Sequence, residues 1–339
     1  MRKLKLALLV AGVGALVWMV FHLGPGVLLA GMMAVGWGFL PSCGAHLCGL
    51  LLDSVALRAC AGKPGRKVRY LEYARISVAG HGVNEASPFG KVGEVVKYTL
   101  LDERLEAADS AGALVAQNIA SFVVNCGLVA LAAPVAFLFL EADGIIAILF
   151  GVVGVVFLCA GAIGLTILRR GVGSWPFRAL RKIGIGRFRV PKRRIERWQK
   201  SWTKVEKAWT EATEVRGAML TIWVSCVLSR LANVGETALL LYFLGGDRVI
   251  AAAFLNLAGS VFTGWVLGFV PMQAGTAEGS AYIVFRAVGL SPELGVLVEI
   301  CRKLRRVVFI FVGVSVLGWE TFRSFMSGEE EKRRAESEA

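Results

Sequence analysis

The chain has few of the side chains from which metal centres and disulfide frameworks are built. It carries three histidines, His22, His46 and His81, and they are scattered along the sequence. Its seven cysteines include no C-x-x-C pair, and most of them lie in apolar runs. A cysteine in an apolar run normally packs as a small hydrophobic side chain. We therefore expect no metal site, no disulfide framework and no cofactor.

The sequence also lacks the common enzyme signatures. It contains no H-E-x-x-H, no Walker A loop, no G-x-S-x-G and no paired-acid motif of the kind that holds a divalent metal. These motifs supply metal ligands, phosphate cradles and nucleophiles. We therefore expect a protein that is not an enzyme, and an intramembrane transferase ranks last among the alternatives. Without an ATP site, any transport would use a gradient or be passive.

Charged residues are absent from Leu6 to Leu52, a length that suits two membrane crossings of about 20 residues each. The turn between them lies at Gly24-Pro25-Gly26. Hydrophobic residues make up 56% of the chain, and the mean hydropathy is +0.63. A composition this apolar is typical of an integral membrane protein.

The remaining apolar runs predict an all-α membrane protein with about six transmembrane helices and two re-entrant helical hairpins. After the two spans within 6–52, further spans are predicted at 110–140, 144–168, 217–244 and 292–318. Two less regular segments, 70–106 and 249–290, fit broken hairpins better. We expect residues 1–325 to form one polytopic membrane domain and residues 326–339 to form a charged cytoplasmic tail.

Basic residues set the predicted orientation. The net charge is +13, and residues 169–216 hold fifteen Lys/Arg against four Glu. Cytoplasmic loops of membrane proteins carry such an excess, so both termini and this segment are placed in the cytoplasm. Nothing else supports nucleic-acid binding. Within the segment, apolar residues at helical spacing predict a helix that lies in the membrane interface or packs on the protein's own cytoplasmic face: Ile195, Trp198, Trp202, Val205 and Trp209.

The two broken segments share one pattern. Each has a proline, then glycine, then a single glutamate, in Pro88-Phe-Gly90-Lys-Val-Gly93-Glu94 and in Pro271-Met-Gln-Ala-Gly275-Thr-Ala-Glu278. Matching interruptions in two halves of a membrane protein indicate a transporter-type site. With the predicted topology, residues 26–140 and 217–319 form two repeats of opposite orientation. The prolines and glycines are interpreted as structural hinges.

Glu94 and Glu278 each follow a break, near the start of a helix, where the helix dipole favours a carboxylate. One interpretation is that each glutamate caps its own helix. The other is that it gates a path, couples it to protons, or serves as a partner for the arginine cluster of the final span. A polar residue follows each glutamate by 24 positions: Asn118 in the first half and Arg302 in the second.

Residues Glu299, Arg302, Arg305 and Arg306 place charge along one face of the predicted final span. Arginine matches phosphate geometry with a bidentate fork. Three arginines and one glutamate leave a positive surplus, which favours an anionic lipid headgroup. The alternative is a cluster at the cytoplasmic end of the helix that follows the positive-inside rule.

Other polar residues fall within the predicted membrane segments. Arg230, Asn233 and Glu236 lie on the fifth span and are expected to face other helices. Asn84 precedes the first break, with Glu85 and Ser87, and is expected to line the same cavity. Asn118 and Asn125 share a face of the third span, where hydrogen bonding between helices is the simpler explanation.

Three motifs carry a family resemblance. They are N-x3-P-x-G-x2-G-E-V at 84–95, F-V-P-x3-G-x2-E-G at 269–279 and R-K-L-R-R at 302–306. Over about residues 1–325 the chain resembles the flippase-like membrane domain of lysylphosphatidylglycerol synthases. The segment Ala34-Val-Gly-Trp-Gly and the region 236–319 resemble stand-alone members associated with hopanoid lipids.

The resemblance implies movement of lipids between the leaflets of a bacterial inner membrane, through a cavity between inverted repeats. The chain differs at Gln117-Asn118, where family members often carry a Glu-Arg pair, and we expect no lysyl transfer because the aminoacyl-transfer domain is absent. The first hypothesis is a flippase-like transporter of a phospholipid or a polyprenyl- or hopanoid-type lipid. The alternative is a non-transporting accessory protein, whose partner is a lipid-biosynthetic enzyme.

Overall fold

The structure is a computed structural model that describes residues 26, 33–87, 91–139, 144–170, 210, 217–246, 249–267, 275–287 and 289–338. Within these ranges every regular element is a helix. The predicted all-α class is therefore confirmed. The predicted first span and all of the basic segment 169–216 except residues 169, 170 and 210 lie outside the described residues.

Eleven α-helices are defined in the described ranges, and a short 3-10 turn at Gly36–Gly38 precedes the first. In chain order they are α1 Phe39–Cys60, α2 Gly62–Lys67, α3 Tyr70–Ala86, α4 Val92–Asp102, α5 Ala107–Ala130, α6 Ala132–Phe139, α7 Gly144–Arg170, α8 Ala218–Phe243, α9 Val249–Val266, α10 Thr276–Ala287 and α11 Pro292–Glu338.

Four stretches are long and apolar enough to cross a membrane: Met33–Cys60, Ala107–Leu138, Ala218–Phe243 and Val249–Val266. Three of them coincide with predicted spans. The fourth is α9, which the sequence placed in the second broken segment. The apolar stretch of α7, Phe150–Thr166, is shorter, and α11 is not among the four. The predicted number of six spans stays a prediction.

Both predicted breaks fall between helices. The first lies between α3 and α4, and the second lies between α9 and α10. Ser87 ends α3 in an extended conformation, with φ −80° and ψ 126°. A residue before proline avoids the helical region, so Pro88 in the sequence explains this end. Pro88, Gly90 and Pro271 themselves lie outside the described residues.

The two predicted hinge glycines that the structure describes differ in their surroundings. Gly275 has a left-handed backbone with φ +77° immediately before α10, as a hinge requires. Gly93 lies inside the first turn of α4, and a Cβ there would be 1.8 Å from the carbonyl oxygen of Gly80. Gly93 therefore serves close packing of α4 on α3. The left-handed residue at this break is Lys91, with φ 42°.

Two large apolar clusters form most of the core in the described part of the chain, and a small third one joins α5 to α7 around Phe157. The first joins α1, α3, α4, α5 and α8 around Leu57, Tyr73 and Leu100. The second joins α8, α9, α10 and α11 around Leu255, Phe285 and Val298. Helix α8 belongs to both clusters and packs along α1, so the α1–α8 pair holds the two halves together.

An ion-pair cluster ties one end of α3 to α11. The Arg104 guanidinium donates to Glu72 at 3.0 and 2.6 Å and to Glu320 at 2.7 Å. Glu320 lies in α11, which continues without interruption to Glu338. The segment predicted as a separate tail is therefore a helical extension of α11 through residue 338.

Helices α3 and α11 cross at a contact between two glycines. A Cβ on Gly82 would lie 2.7 Å from the Cα of Gly313 and 2.8 Å from the carbonyl oxygen of Phe309. A Cβ on Gly313 would meet Gly82 and the carbonyl oxygen of Val78 at similar distances, 2.7 and 2.8 Å. Small residues at a crossing allow helices in membranes to approach closely.

We expect Gly82→Ala to destabilise the protein by about 1–3 kcal/mol, because the added methyl group meets backbone that cannot rotate away. Thermal unfolding of the detergent-purified protein measures this loss. The matched control is Gly127→Ala in α5, where nothing lies within 4 Å of the added Cβ. Equal stability of the two variants would contradict the close crossing.

Candidate functional site

A buried ion pair lies where α1, α8 and α11 meet. The Nη1 atom of Arg305 on α11 donates to both carboxylate oxygens of Glu236 on α8, at 2.7 and 2.6 Å. The two side chains are 5% and 1% exposed. Both residues were predicted site residues, and the structure brings them into direct contact.

A chain of polar groups continues from this pair toward α3. His46 Nδ1 lies 3.1 Å from Glu236, and His46 Nε2 lies 3.1 Å from His81 Nε2. Next to His81 is Glu85, at 3.5 Å, whose other oxygen lies 3.1 Å from Arg306 Nε. The chain therefore joins four helices, α1, α3, α8 and α11.

Arg302 belongs to a second group, between α11 and α9. It donates to Glu299 at 2.6 Å and to the Ser260 hydroxyl at 3.1 Å. The Asn256 amide also donates to Glu299, at 3.1 Å. The carboxylate of Glu299 is almost fully buried, and its charge is matched by Arg302.

The two break glutamates each bind a lysine. Glu278 contacts Lys303 of α11 and accepts the Gly275 backbone N–H at 3.1 Å. Glu94 accepts hydrogen bonds from Lys97 Nζ at 2.8 Å and from the Asn118 amide at 2.9 Å. Each glutamate thus has a partner on its own helix or break and one on a later helix.

The 24-residue spacing therefore holds in one half and shifts by one residue in the other. In the first half, Asn118 donates a hydrogen bond to Glu94. In the second half, Glu278 binds Lys303, and Arg302 binds Glu299 instead.

Asn84 completes the first break. Its side-chain oxygen accepts the Gly93 backbone N–H at 2.7 Å, and its amide lies 3.5 Å from Glu94. Asn84, Glu94 and Asn118 thus form one hydrogen-bonded cluster, and the expectation that they line a cavity stays a prediction.

Arg230 lies apart from Glu236, although the two are close in sequence on α8. Its nearest carboxylate is Asp53 on α1, at 3.6 Å. The backbone oxygen of Asp53 also accepts the Gln117 amide at 2.8 Å. The expectation that Arg230 faces another helix is met, and its partner comes from α1.

The positive surplus expected on α11 is cancelled by neighbouring helices. Among the described residues, the four cations of the run 302–306 each contact a carboxylate: Arg302 with Glu299, Lys303 with Glu278, Arg305 with Glu236 and Arg306 with Glu85. The surplus was counted on α11 alone. Glu278 was considered as a partner of the arginine cluster and Glu236 was expected to face another helix, whereas Glu85 was expected only to line the cavity. The described site is therefore close to charge-neutral.

Sequence reasoning also missed five members of the site. Lys303 stood within the recognised basic run, and Ser260 and Asn256 gave no signal. His46 and His81 were considered only as metal ligands. In the described part of the chain no group of three or more His, Cys, Asp or Glu side chains could hold a metal ion. The missed signal was a histidine in an otherwise uncharged span, which is a functional candidate in a membrane.

Comparison with known proteins identifies the family. The family profile described as "Lysylphosphatidylglycerol synthase TM region" matches residues 4–313. The chain belongs to this family. It is therefore a multi-pass membrane protein of the lysylphosphatidylglycerol synthase transmembrane family, which is linked to lipid metabolism. No curated protein and no solved structure matches the chain.

We expect Arg305→Met to destabilise this family member by about 3–5 kcal/mol, because it leaves the buried carboxylate of Glu236 without its partner. The double variant with Glu236→Gln and Arg305→Met removes both charges and should regain most of the loss. Thermal or denaturant unfolding in detergent measures both. Arg286→Met, on an exposed side chain of α10, is the matched control. A single variant as stable as this control would contradict the pairing.

Proposed function

We propose that the protein is a flippase- or scramblase-like transporter that moves a phospholipid, or a polyprenyl- or hopanoid-type lipid, between the leaflets of a bacterial inner membrane. The observation that carries the proposal is the line of charged side chains on α11, which runs between two broken helix pairs. The family's link to lipid metabolism supports a lipid as the substrate.

The cost of burying charge supports a functional role for this line. An ionisable residue at the bilayer centre costs at least about 2.5–3.5 kcal/mol, so it is retained where it serves a path or a binding site. The breaks between α3 and α4 and between α9 and α10 are consistent with re-entrant hairpins. Backbone without helical hydrogen bonds is tolerated in a membrane only where it is covered by protein or lines a cavity.

The packing supports two inverted repeats. If α1 corresponds to α8, the α3–α4 pair to α9–α10 and α5 to α11, several contacts have a counterpart, whereas the contact of α5 with α7 has none. The contact of α3 with α11 then corresponds to that of α9 with α5, and the contact of α1 with α3 corresponds to that of α8 with α9. Exchange of the two halves leaves the central α1–α8 contact unchanged.

The exposed fractions of the side chains suggest the order in which a headgroup would meet the site residues. The side chains of Glu94 and Glu278 are each 22% exposed, whereas those of Glu236 and Arg305 are 1% and 5% exposed. In the proposal a headgroup therefore meets the break glutamates first. Arg302 and Arg306 hold its phosphate, Arg305 and Glu236 close the path beneath it, and the lipid tails stay in the bilayer.

We expect Arg302→Ala to abolish transbilayer movement of a fluorescent phospholipid in proteoliposomes, because the phosphate loses a bidentate partner. Dithionite bleaching of the outer leaflet measures the movement. Arg286→Ala is the matched control, since this side chain is exposed on α10.

A second variant separates transport from folding. Glu299→Gln combined with Arg302→Gln removes both charges and keeps the hydrogen-bonding groups, so this double variant should fold and still fail to move lipid. Movement at the control rate by a folded, correctly inserted Arg302 variant would contradict the role of Arg302. No movement by the unchanged protein would favour the accessory role.

We further expect little discrimination against zwitterionic headgroups. The site's cations already contact carboxylates, so a headgroup that brings its own amine can satisfy both members of an opened pair. Phosphatidylethanolamine and phosphatidylglycerol with the same labelled acyl chain should move at rates within about threefold of each other, since this difference corresponds to less than one kcal/mol. A strong preference for phosphatidylglycerol would restore the original expectation of an anionic headgroup.

A further inference from the structure

The imidazoles of His46 and His81 face each other inside the protein. Their Nε2 atoms are 3.1 Å apart, and their ring centroids are 5.0 Å apart. Phe309 of α11 packs edge-on against both rings, with centroid distances of 4.7 and 6.2 Å. At this distance one nitrogen must donate and the other accept, so the space between the rings holds a single proton.

The other ring nitrogen of His46, Nδ1, lies near both a hydrogen-bond acceptor and a hydrogen-bond donor. It lies 3.1 Å from a Glu236 oxygen, which can only accept, and 2.6 Å from Arg305 Nη1, which can only donate. A protonated Nδ1 therefore binds Glu236, and an unprotonated Nδ1 binds Arg305. When both rings are neutral, the His46 proton can therefore lie on Nδ1 or on Nε2. Glu236 binds the first form and Arg305 binds the second.

We propose that His46 and His81 form a proton-binding site whose occupancy controls how firmly Arg305 is held by Glu236. Uptake of one proton makes His46 an imidazolium, with Nδ1–H donating to Glu236 and Nε2–H donating to His81 Nε2. The proton on His81 then lies on Nδ1. Glu236 now shares its charge between two cations, and its hold on Arg305 weakens.

Polar and charged side chains from four helices surround the histidine pair. Helix α8 contributes Glu236 and Asn233, α3 contributes Glu85, α4 contributes Lys97, and α11 contributes Arg302, Arg305 and Arg306. Arg305 and Arg306 contact Glu236 and Glu85, so these two pairs are balanced and an added proton introduces one uncompensated positive charge. An imidazole can hold one proton or two, which makes a histidine pair the suitable carrier.

The coupling part of this inference rests on the proposed transport function, since weakening the Arg305–Glu236 pair would open the path beneath the headgroup. With one proton moved per lipid, a difference of one pH unit sustains about a tenfold difference in lipid between the leaflets. The proton site itself does not require that function.

The first experiment tests the site alone. Histidine labelled with 15N in the His22→Gln variant leaves two imidazoles, whose shifts are followed from pH 3 to 8. We expect coupled titration, in two steps separated by about one pH unit or more. In the His81→Gln variant, the His46 imidazole should titrate in a single step at a different pH. Independent titration of the two rings, with His46 unchanged by His81→Gln, would overturn the proposal.

The second experiment tests the coupling. Proteoliposomes with acyl-labelled phosphatidylethanolamine and the membrane potential clamped at zero receive a one-unit pH step. The unchanged protein and Cys48→Ala, an exposed position on α1 near His46, should build up to about a tenfold asymmetry. His46→Gln and His81→Gln should leave the lipid evenly distributed.

The two proposals fail in different ways. Lipid that moves but stays evenly distributed in the unchanged protein would end the coupling and leave transport intact. No lipid movement at any pH would end the transport proposal, and the titration would then decide the proton site.

Discussion

The arrangement of the bundle depends on one requirement, which is that each cation of the run 302–306 on α11 must contact a carboxylate on another turn or another helix. Arg305 with Glu236 is the most deeply buried case. Breaking such a pair leaves an uncompensated charge, whereas a complete pair is tolerated in a low dielectric. The position of α11 relative to α3, α8 and the second break is therefore fixed by charge as well as by apolar packing.

Much of the fold could be predicted from the sequence, because its signals are local. The apolar runs indicate the helices, and proline with glycine indicates both breaks. The spacing singled out both Glu94 and Asn118, and the contact between them is a finding of the structure. Local chemistry determines where a helix stops, so a single sequence is sufficient for these features.

The partners of the charges could not be predicted in the same way. Helical periodicity places Arg302, Arg305 and Arg306 along α11, but it does not say which helix lies opposite each one. That depends on tilt and crossing distance, which the contact between Gly82 and Gly313 sets. The expected positive surplus was wrong for this reason, and the pairing of His46 with His81 joins residues 35 apart in sequence.

The crossing of α3 and α11 also limits how the molecule can move. Backbone meets backbone there, so the helices cannot approach further. Long charged side chains join the same two helices on both sides of the crossing, through Arg104 with Glu72 and Glu320 at one end and Arg306 with Glu85 at the other. Rotation of α3 against α11 would have to separate these ion pairs, so the two helices are expected to move as one unit.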